Sequence, residues 1–141
     1  MPSRDYLIRQ IEEMGIFLAL LLRKVLKLKD ENASEQMELT VKEALSAEAD
    51  FDIDQAIMLE NSEFLKIASS RFSSDAQLEK LADILKTLGT EIEKSFTLNR
   101  ANYLRKALFL YIHLQESSAD FSFERKVKIE EIQHLMRIHE I

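Results

Sequence analysis

Two glycines and one proline in 141 residues leave this chain almost without the residues that make tight turns. Hairpin turns need a left-handed backbone or a ring-locked φ, which glycine, asparagine and proline supply. Gly15, Gly89 and Pro2 are far too few to punctuate a sandwich or a barrel. Helices remain, and the expected class is all-α, with five to six helices stacked as antiparallel helical hairpins.

The strongest single pattern lies near the start. Leu7, Ile11, Met14, Leu18, Leu21, Val25 and Leu28 recur at alternating spacings of four and three. Such a stripe runs along about 22 residues, or roughly 33 Å of helix. Ser3 is placed to cap this helix and Asp5 to favour its dipole, while Arg23, Lys24, Lys27 and Lys29 put positive charge at its end. Between Ile16 and Leu22 the other faces are apolar too, which predicts a central helix enclosed on most sides.

Further helices follow from the same periodicity. Met37, Val41, Ala44 and Leu45 mark a second helix over 34–48, joined to the first by a short link. Asp52 with Gln55 reads as a capping box opening a third, whose buried side is Ile53, Ile57, Phe64, Leu65 and Ala68, with Asn61-Ser62 interrupting it. Ser74 with Gln77 opens a fourth, where Leu78, Leu81, Leu85, Leu88, Ile92 and Phe96 share a face. A fifth over 98–116 is apolar on two sides, and Ser122 caps a last helix built on Ile129, Ile132, Leu135, Met136 and Ile138.

Composition sets the outer bounds. Apolar residues are 46% and charged residues 31%, the balance of a globular chain of single-domain size. The absence of cysteine excludes a disulfide scaffold, a thiolate zinc site, an iron–sulfur cluster and a cysteine nucleophile. The longest apolar run, Met14 to Leu22, is nine residues, well short of the roughly 20 that span a bilayer. Glu12 and Glu13 stand before that run where a secretory signal wants basic residues, so the expectation is a mature cytoplasmic protein. Net charge is −6 and uneven: residues 1–29 carry +3, residues 30–95 carry −10 and residues 96–141 carry +1. The acidic middle repels phosphate backbones, and no nucleic-acid partner is expected.

Two resemblances add to this reading. From Ala82 to His113 the chain resembles a tetratricopeptide repeat, with Leu85 and Leu88, Gly89 and Ala101 at that repeat's apolar, glycine and alanine positions. Arg105, Leu108 and His113 depart from the pattern. The resemblance implies a hairpin architecture rather than a function. The opening Asp5-Tyr6-Leu7-Ile8-Arg9-Gln10-Ile11-Glu12, joined to such a tail, is similar to an uncharacterised bacterial all-helical family, which implies a bacterial cytoplasmic protein and brings no activity with it. The organisation expected is a single domain over 1–141: a long apolar helix at 1–29, a helical hairpin at 34–70 and tetratricopeptide-like helices at 74–141.

Catalytic and metal-binding patterns are sparse. Phosphate loops and dinucleotide folds need clustered glycines, and the serines cluster at helix boundaries where capping accounts for them. Asp50, Asp52 and Asp54 resemble the first half of a calcium loop, but Gln55 stands where its glycine belongs and Asn61 where its glutamate belongs. The plainer reading is carboxylates at a helix start. Glu131 and His134 have the spacing of a carboxylate-bundle metal site, which needs a second such pair that neither His113 nor His139 supplies. His134 and His139 point about 140° apart on a helix. Tyr103, Phe109 and Tyr111 near Arg100, Arg105 and Lys106 could form a base-stacking platform, although aromatics at this spacing are ordinarily core.

The expected function is therefore a non-catalytic protein-interaction module or scaffold, with no cofactor, no catalytic residue and no metal ligand assigned. The expected partner is a second copy of the chain, as a homodimer, or another protein, engaged through Leu18, Leu21, Leu22, Val25 and Leu26. The alternative is a bundle-type metal protein or enzyme using Glu43, Glu48, Asp83, Glu91 and Glu131 with His134. A third reading places the first helix on a membrane surface or on nucleic acid through its basic tail.

Overall fold

The computed structural model describes residues 3–141, and Met1 and Pro2 lie outside it. The described residues are helical without a strand. The helices are α1 (Arg4–Asp30), α2 (Ser34–Ala49), α3 (Ile53–Ala56), α4 (Asn61–Arg71), α5 (Asp75–Thr90), α6 (Leu98–Ser117) and α7 (Phe123–Ile138), with a 3₁₀ turn at Glu91–Glu93. Seven α-helices replace the five to six expected, because the predicted third helix is two.

That break has a local cause and a tertiary one. Glu60 is extended, at φ −62° and ψ 154°, so the helical path stops before Asn61. The Lys106 ammonium of α6 then donates to the carbonyl of Leu59 and to Oδ1 of Asn61, holding the break open. The same ammonium lies over the Phe64 ring, 5.5 Å from the centroid.

Capping side chains start helices where the sequence places them. Ser3, Asp52, Ser74 and Ser122 accept the backbone N–H of Tyr6, Gln55, Gln77 and Arg125. Thr97 does the same for Arg100 at the start of α6. Helix ends rely on left-handed residues: Asn32 after α1 at φ 57° and Asp50 after α2 at φ 47°. Asparagine and aspartate tolerate this conformation better than other side chains with a Cβ.

The core gathers around α5. Leu78, Leu81, Ala82, Ile84, Leu85 and Leu88 are buried there, with α6 packed on one side and α1 on another. Gly89 permits the closest approach: a Cβ on it would lie 2.6 Å from Cδ2 of Leu104 and 3.0 Å from that residue's backbone nitrogen. α6 is buried on both sides, through Ala101, Tyr103, Leu104, Ala107, Leu110, Tyr111 and Leu114. α7 packs on α6, α2 lies against α1, and α4 against α6.

α1 does not take the central place its composition predicts. Leu18, Leu21 and Val25 are buried, yet Ile16 and Leu20, from the turn that is apolar all round, are 61% and 56% exposed. The reason is geometric. Only α2 and α5 pack extensively on α1, which leaves Ile16 to solvent and Leu20 at the open edge beside α2.

Candidate interaction surface

Ionisable groups inside the fold are engaged by neighbours in the same chain. Between α5, α6 and α7, the Tyr111 hydroxyl donates to Oδ1 of Asp83, and Lys128 Nζ reaches the same oxygen at 2.9 Å. Burial, and then the charge of Asp83, push the Tyr111 phenol far above its ordinary value, so it stays a proton donor. Beside this pair Arg125 grips Glu79 through Nε and Nη2, at 3.1 and 2.8 Å, and gives Nη1 to Gln115 at 2.9 Å. Lys86 pairs with Glu131.

A second network ties the α1–α2 link to the end of α5. Burial raises the Glu91 carboxyl, but hydrogen bonds from Ser34 and Lys94, with the charges of Lys94 and Lys29, outweigh it and hold the group below its ordinary value. Arg100 gives Nη1 to the carbonyl of Ser95 at 2.7 Å, while its Nε lies 3.6 Å from Glu38 without a hydrogen bond. The Tyr103 hydroxyl reaches Glu38 at 3.4 Å, and its phenol is raised by burial and by that carboxylate. The Lys106 ammonium is lowered by burial and by the neighbouring charge of Arg105.

These arrangements place each candidate residue. Glu43 and Glu48 are exposed on α2, Asp83 is held by Tyr111 and Lys128, Glu91 by Ser34 and Lys94, and Glu131 by Lys86, while His134 is exposed on α7. They do not converge, and among the described residues no three His, Cys, Asp or Glu side chains gather as a metal site. The acidic triplet is likewise dispersed. Asp50 ends α2 and meets Arg71 at 3.2 Å, Asp52 caps α3, and Asp54 lies 3.4 Å from Lys42. Tyr103 and Tyr111 are fully buried, which removes them from any stacking platform.

The interaction residues divide. Leu18, Leu21 and Val25 are buried in the chain's own core and support the fold; Leu18 and Val25 are fully enclosed, while Leu21 borders the groove between α1 and α2. Leu22 is half-buried against the core, and only Leu26, at 45% exposed, faces solvent. The surface that sequence reasoning missed lies on the other faces of α1. Ile16 and Leu20 stand outward beside Lys24 and Lys27, and Tyr6 and Ile8 are exposed on the first turns, where Leu7 and Ile11 of the stripe itself are exposed as well. The signal for Ile16 and Leu20 was present in the second apolar face between Ile16 and Leu22, which the stripe overshadowed.

Two grooves flank this helix. One, of about 560 Å³, has Leu7, Ile11, Met14 and Phe17 on one wall and Arg71 and Gln77 on the other. The second, of about 440 Å³, lies between α1 and α2. Comparison with protein-family models, with curated proteins and with solved structures finds no match for this chain. Among the described residues no helix is long and apolar enough to cross a membrane.

Proposed function

We propose that this chain is a non-catalytic helical interaction module of the bacterial cytoplasm that binds a protein through exposed apolar side chains of α1. One observation carries the reading: seven large apolar side chains of this helix, Tyr6, Leu7, Ile8, Ile11, Ile16, Leu20 and Leu26, are between 44% and 61% exposed. A monomer rarely leaves so much apolar surface on one element in water. The buried ionisable groups, by contrast, are absorbed by internal pairs, which suits a rigid support for that surface. The α5–α6 pair, closed over Gly89, supports reading the helices as stacked antiparallel hairpins of tetratricopeptide-like form, an architecture that displays helix faces to partners.

A photo-crosslinking side chain placed at position 20 tests this in the intact chain. It is expected to form one discrete protein adduct in cells, whereas the same probe at exposed Lys66 forms none. No adduct at position 20, or identical adducts at both, overturns the reading.

A further inference from the structure

We infer that the partner at α1 is a second copy of this chain, joined through the groove between α1 and α2; this inference rests on the interaction reading above. Phe17, Leu20 and Leu21 from α1 and Ala44 from α2 form an apolar floor, with Lys24 on one rim and Glu43 on the other. Among the described residues neither rim residue takes part in an ion pair within the chain. Ile16 stands exposed on α1 one turn before Leu20, and Leu39 on α2 one turn before Glu43, at 61% and 55%.

The two helices bear opposite charge. On their exposed sides α1 holds Arg23, Lys24 and Lys27 and α2 holds Glu35, Glu43 and Glu48, while Lys29 and Glu38 turn inward to Thr90 and Arg100. A surface with one basic edge and one acidic edge fits itself under twofold symmetry, because each edge meets the opposite edge of its copy. With the axis running along the groove, α1 of one protomer lies over α2 of its partner, and Lys24 faces the partner's Glu43 twice. A single basic or single acidic ligand would satisfy one rim and repel the other. Exposed ion pairs are individually weak, so they set register while the apolar floor supplies affinity.

Sedimentation of the full chain from low to high micromolar concentration is the measurement. Wild type is expected to approach twice its 16.4 kDa mass. Lys24→Glu and Glu43→Lys, each checked for unchanged helicity and melting, are each expected to weaken the dimer at least tenfold, since each turns two attractions into repulsions. An equimolar mixture of these two chains is expected to regain it, because both contacts are then of opposite charge. A wild-type mass that stays at 16.4 kDa, single swaps that leave association unchanged, or a mixture that stays monomeric overturns the dimer. If position 20 still crosslinks to a different protein in that case, the interaction reading stands and only the second copy is refuted.

Discussion

Along α5, Leu78, Leu81, Leu85 and Leu88 are each at most 5% exposed, whereas Tyr6, Leu7, Ile8 and Ile11 at the start of α1 are between 44% and 50% exposed. Both segments carry apolar residues at helical spacing, and the α1 stripe is the longer. What separates them is company. α5 lies between α1 and α6, while the first turns of α1 extend past the helices that cover Leu18, Leu21 and Val25. An apolar stripe records the capacity of a helix to be buried, and the neighbours decide how much of it is.

A charge inserted in each half of one stripe tests this contrast most strongly. Leu18→Asp puts a carboxylate among fully buried side chains and is expected to abolish folding, a loss of more than about 4 kcal/mol. Leu7→Asp, on the same stripe, is expected to cost less than about 1 kcal/mol. Thermal melts followed by near-ultraviolet circular dichroism distinguish the two; equal losses would dissolve the contrast.

The glycines repeat it at smaller scale. Gly89→Ala drives a methyl into Leu104 and is expected to destabilise the chain by about 1–3 kcal/mol in urea titrations. Nothing lies within 4 Å of a Cβ at Gly15, so Gly15→Ala should stabilise by about 0.5–1 kcal/mol through helix propensity alone. A stabilising Gly89→Ala would show that α5 and α6 do not meet as described.

Glu91 gives the smallest effect and sharpens the buried side of the comparison. Its carboxyl is held below the ordinary glutamate value in the folded chain, so the folded state binds its proton more weakly than the unfolded state. The stabilisation is present above the unfolded value and is lost as pH falls through the folded one. Wild type should therefore exceed Glu91→Gln in stability at neutral pH, with the difference shrinking between about pH 5 and 3. Denaturation curves across that range check it, and a difference that grows on acidification has the wrong sign.

Helix positions were legible because capping and periodicity are local. Ser3, Asp52, Ser74 and Ser122 each start a helix at the place their spacing indicates. Phe96 was not: α5 ends at Thr90, a 3₁₀ turn follows, and Phe96 is left 58% exposed. The close approach over Gly89 and the grip of Arg100 on the turn after α5 are tertiary, and periodicity is blind to both. The Glu60 break is of the same kind, since its anchor, Lys106, lies 46 positions further along the chain. For the candidate surface, the identity of α1 was readable and the choice of face was not. A stripe names the side with most apolar residues, and from Leu18 to Val25 that side is taken by the chain's own helices.

Gln77 sits where these two regimes meet. Its side-chain oxygen receives the Ser73 N–H at 3.1 Å, and its amide donates to the carbonyl of Ile11 at 2.8 Å. Among the described residues this is the side-chain hydrogen bond that fastens the early part of α1 to the body. The helix is thereby pinned near its third turn, with a free lever before the pin and a clamped beam after it. Amide protons before Ile11 then exchange by fraying from the end, while those beyond Phe17 wait for the body itself to open.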